Sequence, residues 1–313
     1  MMVALVLLAL GALTATIAPP LLIRASWVDR EPVLALWAWQ CVVGAVLLCC
    51  LLAMALSAAT AWQVVRGHVF APAPHGVMEA YGFGSWDGPW AGLLAIVLAG
   101  GGAWTGAMLL REIRDARLRH RRRRAELRLR APSLPDEPTD RDERLVVLEG
   151  ERPDAWWLPG PKPQLVITTA ALRRLKGRQL DAVIAHEQGH ARARHDVLLH
   201  CSSALATGFP RVPVFAGFHE QMHRLVELAA DDAASRRFGA LTTALALVEL
   251  NEGRGVFGPC PPALAQIPQR VDRLLAAPPR LSVARRIRVT ATASCVPVVP
   301  LLVAFVPGLS ALG

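Results

Sequence analysis

Six cysteines in 313 residues form no C-x-x-C pair: Cys41, Cys49, Cys50 and Cys295 lie in apolar runs, and Cys201 and Cys260 stand apart. That spacing excludes a disulfide framework and a thiolate metal site, and marks the thiols as small buried hydrophobes. Tyrosine is almost missing. Tyr81 is the only one, so a phenol can take no part in chemistry elsewhere in the chain. Lysine is scarce too, with Lys162 and Lys176 set against an excess of Arg. No internal repeat is present, and several long stretches carry no charge at all.

Those uncharged stretches set the class. The chain is 53% apolar, with a mean hydropathy of +0.34, high for a protein surrounded by water. A bilayer core of about 30 Å needs about 20 apolar residues in a helix. Four runs qualify: Val3 to Ile23, Val33 to Val64, Ala91 to Leu110 and Val289 to Gly313. Pro19 and Pro20 are expected to bend or end the first. That run has small residues at Ala12 to Ala18 but no basic segment before it, which disfavours a cleaved secretory signal. Every Trp except Trp156 and Trp157 lies in or beside the first three runs, where interfacial anchors belong.

The formal charge of +9 is concentrated. Ten Arg between Arg111 and Arg130 face only Glu112, Asp115 and Glu126, directly after the third apolar run. Basic segments beside a membrane helix stay in the cytoplasm. The expected topology follows: amino terminus outside, Arg24 to Glu31 inside, Gly67 to Pro89 outside, Arg111 to about Arg288 in the cytoplasm, and a last helix running outward. The Arg cluster has no interleaved aromatics, so anionic headgroups suit it better than nucleic acid, and no direct nucleic-acid contact is expected. Pro132 to Pro138 reads as a linker. The expected domains are 1–110 (three transmembrane helices), 111–139 (basic juxtamembrane segment and linker), 140–288 (a cytoplasmic domain) and 289–313 (a fourth transmembrane helix).

Within 140–288, Arg144 to Leu148 and Gln164 to Thr168 read as short strands. From Gly177 the pattern becomes helical through Leu180, Val183 and Ile184, with Val197 and Leu198 further along. A second helix runs from about Phe215 to Phe238 and stops before Gly239, a left-handed cap. The first helix contains His186-Glu187-Gln188-Gly189-His190. Residues four apart share a helix face, so both imidazoles can grip one ion, and Glu187 falls beside the position left open for water, as a general base. A catalytic zinc site takes three protein ligands. Ala193 and Asp196 stand where a metzincin needs Gly and His, so the third ligand comes from elsewhere. Glu227, in Glu227-Leu228-Ala229-Ala230-Asp231, supplies it, and Asp231 is placed to accept a hydrogen bond from a ligand imidazole. The bland alternative is a set of water-facing polar residues. Glu187, Glu227 and Asp231 sit among Ala, Val and Leu, where unpaired charge is costly, and a metal explains them better. His219 and His223 continue the Glu227 stripe; His223 is a candidate oxyanion stabiliser, weighed against an ordinary polar helix face. His195 and Asp196 are candidates for contacts behind the ligands.

The run Ala185 to Asp196 followed by Glu227-x-x-x-Asp231 resembles the M56 family of integral-membrane zinc peptidases, and the related M48 family shares much of it. Three amino-terminal membrane helices, a basic step and one further helix resemble the M56 arrangement as well. The resemblance implies a mainly α fold: a four-helix transmembrane region with an inserted cytoplasmic α+β zincin-like (gluzincin) protease domain. It also implies a bacterial cell-membrane location, a Zn2+ cofactor, and a protein substrate such as a transcriptional repressor cut in regulatory signalling. Leu158-Pro159-Gly160 and Leu165 to Thr169 resemble the family's edge-strand region, which takes an extended peptide. No Ser precedes a Lys by three residues, so the acylation motif of an antibiotic sensor is missing. The rival readings are an M48-like membrane quality-control protease and a non-catalytic zinc-binding signalling scaffold.

Overall fold

The computed structural model describes residues 2–66, 88–130, 144–158, 164–251, 266–276 and 278–310. The expected outer loop at 67–87, with Tyr81, the Pro132 to Pro138 linker, Cys260 and the Pro159-Gly160 pair lie outside them. Among the described residues helices dominate, joined by one small sheet, and the chain divides into two compact units.

The first unit comprises Met1–Leu110, Ser202–Gln221 and Leu281–Gly313. Helix α1 (Met2–Arg24) packs along α2 (Pro32–Arg66), with Leu7 and Ala53 fully buried between them. Gly11 permits the approach: a Cβ there would lie 3.1 Å from Cys49 Cβ. Pro19 and Pro20 do not end α1, which continues to Arg24. Proline frees only the carbonyls one turn behind it, and a helix surrounded by apolar neighbours has no better alternative for the rest of its backbone. The outer faces leave Leu5, Leu13, Ile17 and Leu21 exposed. Among the described residues, three helices are long and apolar enough to cross a membrane, Met2–Arg24, Pro32–Ala59 and Gly92–Arg119, and a bent pair, Val283–Cys295 with Val298–Leu309, makes a fourth if it is one span.

The expected fourth helix starts earlier and is broken. Helix α10 (Val283–Cys295) and helix α11 (Val298–Ser310) meet at a 48° bend around Val296 and Pro297, where proline cannot donate the next helical hydrogen bond. Glu31, buried at the start of α2, accepts from the Leu281 N–H at 3.3 Å and pairs with Arg286 at 3.6 Å, tying α10 to α2. Helix α3 (Gly88–Arg130) does not end at Leu110 either. Its basic stretch remains helical because Arg, Ala, Leu and Glu are strong helix formers.

The second unit comprises Arg111–Cys201 and Met222–Arg280. Strands β1 (Arg144–Leu148), β2 (Ala155–Leu158) and β3 (Gln164–Thr168) form a sheet of order β1-β3-β2. β1 runs parallel to β3 (Val146 opposite Val166), and β2 runs antiparallel to it (Trp157 opposite Leu165). Of the stretch expected at an edge, Leu165 to Thr168 lies in the central strand, paired on both sides, with Val166 and Ile167 fully buried, whereas Leu158 ends an edge strand. The strand that escaped the sequence reading, β2, is an edge.

Thr168 caps α4 (Thr169–Arg174) by accepting from the Ala171 N–H. Helix α5 (Arg178–Ala193) stops at Arg194, which takes the left-handed conformation (φ 49°, ψ 44°), and α6 (His195–Gly208) leaves in a new direction. The continuous pattern through Val197 and Leu198 thus belongs to two helices. Helix α7 (Pro213–Phe238) ends at Gly239, whose φ of 90° is the expected left-handed stop. α8 (Ala240–Asn251) and α9 (Gln266–Ala276) pack together, and α5 lies between β2 and α8 over a core of Ile167, Leu175, Ala182 and Val183. Ile167→Ala is expected to cost about 2–5 kcal/mol and Leu145→Ala, half-exposed on β1, under about 1 kcal/mol. Thermal unfolding in detergent compares them; equal midpoints would place the core elsewhere.

Candidate metal centre

Helix α5 carries its histidines one turn apart, and Gly189 between them faces α7. A Cβ at Gly189 would lie 3.3 Å from Ala233 Cβ and 3.4 Å from Ala230 Cα, so a side chain there would press the two helices a few tenths of an ångström apart. The approach brings Glu227 against both imidazoles. His186 Nε2 lies 3.5 Å from Glu227 Oε2, His190 Nε2 lies 3.5 Å from Glu227 Oε1, and the two Nε2 atoms are 3.2 Å apart.

The opposite ring nitrogens are also engaged. His186 Nδ1 lies 3.0 Å from Asp231 Oδ1, which is almost fully buried. An ionised carboxylate only accepts, so the proton of neutral His186 sits on Nδ1 and its Nε2 carries a lone pair. His190 Nδ1 lies 2.9 Å from Nδ1 of buried His195, a contact that needs a proton on one of the two. With that proton on His190, its Nε2 likewise presents a lone pair. Two lone pairs 3.2 Å apart beside a carboxylate repel unless a cation lies among them. Tetrahedral zinc with bonds of about 2.0–2.1 Å separates its ligands by about 3.3–3.4 Å, close to the spacings found. His186, His190 and Glu227 therefore fit a zinc ion.

Glu187 turns to the sheet. Its Oε2 accepts from the Trp157 N–H of β2 at 3.1 Å. Burial pushes its pKa up to about 7, against the opposing pull of His186, which suits a group that must take and return a proton near neutral pH. A cavity of about 180 Å³ lies in front of it, lined by Ala155 on β2, Val183, His186 and Glu187 on α5, and Ala246 and Leu250 on α8.

The sequence reading missed Arg270 altogether. Its Nε and Nη2 donate to Asp231 Oδ2 and Oδ1, each at 2.7 Å, and Nη1 reaches Glu227 Oε2 at 2.8 Å. Ile267, Arg270 and Leu274 form the buried face of α9, so an Arg at an apolar position of an amphipathic helix was the available signal. Arg273 grips Asp232 at 2.7 Å from the same helix. Among the other candidates, His195 touches His190. His223 is exposed and does not line the cavity, and His219 lies within hydrogen-bonding distance of Ser202, 3.2 Å away.

Residues 118–250 match peptidase family M48. The match takes in α5 and α7, with both histidines and Glu227, and M48 is the relative of the M56 family that the sequence resembles. Plastoglobule-localized metallopeptidase 48, chloroplastic, of Arabidopsis thaliana is 35% identical over 100 residues, covering 29% of each chain. The chain thus spans under a third of that protein's length. No solved structure matches.

Without metal, burial opposes a charge on His186, but hydrogen bonds and charge from Asp231 and Glu227 outweigh it and raise its pKa to about 10. At neutral pH that ring holds a proton which zinc must displace. Apparent zinc affinity is expected to rise about tenfold per pH unit between about pH 6 and 8, with proton release on binding. Competition with a chromophoric chelator measures it, and a flat profile would show His186 already neutral.

Proposed function

We propose that this chain is a membrane-embedded zinc metalloendopeptidase that hydrolyses peptide bonds of a protein substrate on the cytoplasmic face. The observation that carries this reading is the convergence of His186, His190 and Glu227, whose ligand atoms lie within 4.8 Å of one another. Glu187 stands beside them, in a segment matching a peptidase family. His186, His190 and Glu227 would hold the ion, which supplies Lewis acidity toward a water molecule and the scissile carbonyl.

The remaining chemistry belongs to the chain. Glu187 takes a proton from the attacking water and passes it to the leaving amine; the Trp157 N–H holds one carboxyl oxygen and leaves the other to exchange the proton. Asp231 fixes the tautomer of His186, and His195 holds the ring plane of His190 through its Nδ1. Three ligands and an adjacent carboxyl in front of a cavity suit a catalytic site rather than a structural zinc, which takes four closed ligands.

Three membrane-length helices anchor the protein, and the Arg-rich stretch of α3 faces anionic headgroups. The M48 match, and a relative that is by name a metallopeptidase, favour an M48-like protease, for which membrane proteins are the substrates this reading proposes. Regulatory cleavage of a repressor-like protein is the second reading, supported by the M56-like order of apolar helices around the site.

Glu187→Gln is expected to keep one zinc per chain and to lower cleavage of an unfolded protein in detergent roughly a hundredfold to ten-thousandfold. Zinc analysis beside the cleavage assay decides, and undiminished cleavage removes Glu187 from the mechanism.

A further inference from the structure

The guanidinium of Arg270 reaches two carboxylates that do different work. Two of its N–H groups hold both oxygens of Asp231, which faces His186 Nδ1, and the third contact goes to Oε2 of Glu227. Helix α9 plants it there: Ile267 and Leu274 are buried on either side, and Arg273 holds Asp232 one turn on. Such a fork, with its donors fixed in one plane, sets directions that a point charge on a flexible stem does not.

We propose that Arg270 is a positioning residue that makes Glu227 a one-oxygen ligand by engaging Oε2, while locking Asp231 as the acceptor for His186. The inference rests on the zinc peptidase reading and adds to it. Glu227 has two oxygens, at 3.5 Å from His186 and His190 respectively. Were both to bind the ion, water would have to enter as a fifth ligand instead of taking an open tetrahedral position. With Oε2 given to the guanidinium, Oε1 alone remains, and three protein ligand atoms leave one position open. The charge of Arg270 by itself does not do this, because a cation anywhere nearby lowers the pKa of Glu227 without choosing between its oxygens.

Cobalt(II) in place of zinc reports the number of ligands, since four-coordinate cobalt absorbs visible light severalfold more strongly than five-coordinate cobalt. The full-length protein in detergent, loaded with one cobalt per chain, is expected to absorb strongly. Arg270→Gln and Arg270→Lys are each expected to bind one cobalt with a severalfold loss of that absorption. Lysine keeps the charge but not the fork, so a wild-type spectrum in Arg270→Lys overturns the inference in favour of charge alone. A contribution to stability alone would lower the thermal midpoint of the metal-free variants and leave their spectra unchanged, which overturns it equally. Should Arg270→Gln fail to fold, Arg270→Lys carries the comparison, and a weak five-coordinate spectrum in the wild type is decisive against it without any variant. A wild-type chain that takes up neither zinc nor cobalt sinks the peptidase reading and this inference together, whereas full loading with identical spectra sinks only the inference.

Discussion

Two imidazole nitrogens 3.2 Å apart, each with its other nitrogen already engaged, form the constraint on which the candidate metal centre depends. With the protons of both neutral rings on Nδ1, the two facing lone pairs call for positive charge between them. In the metal-free chain a proton on His186 fills that role, which is why burial fails to lower its pKa and the two acids raise it. His190 shows the contrast. Burial dominates there and lowers its pKa to about 4, despite the pull of Glu227, so one ring of the pair is charged and the other neutral. A dication would take the place of the proton on His186 Nε2.

The packing of α5 on α7 keeps the donors in place. Gly189 faces only the small Ala230 and Ala233, so the separation of the imidazoles from Glu227 is set by short, rigid groups rather than by flexible side chains. The small residues inside the two motifs therefore act as much as the ligands do. Their burial is apolar, while Asp231, beside them, is nearly inaccessible and carries a charge. A buried carboxylate costs several kcal/mol unless its oxygens are satisfied. Arg270 and His186 satisfy both, and the same guanidinium contact helps hold Glu227 well below the usual carboxylate range.

The periodic parts of this protein were legible in the sequence. Strands β1 and β3 fall on the residues that β-branched runs marked, and α7 ends at the glycine that marked its stop. What escaped was non-local or locally contradictory. Trp156 and Trp157 form β2 because β3 offers them a partner, and four residues beside Pro153 give no alternation to read. The apolar spacing ran on through Arg194, where a non-glycine residue in the left-handed region splits α5 from α6; nothing in Ala-Arg-His-Asp announces that turn. Pro19 and Pro297 show that proline alone does not decide. The first lies within a continuous helix, and the second marks a 48° bend.

Motif reading stops at residue 231, and the site does not. His186 and His190 belong to α5, Glu227 and Asp231 to α7, and between them the chain passes through Ser202–Gln221, which belongs to the other compact unit. Arg270 comes 39 residues after Asp231. No short-range spacing rule links α9 to the two motifs, because what joins them is the packing of α9 on α8 and the pairing of Arg270 and Arg273 with two consecutive acids. The ligands alone define a place for a metal. The charge that balances their carboxylates arrives only when the chain has folded as far as α9, so the chemistry of the centre depends on a helix that carries none of the ligands.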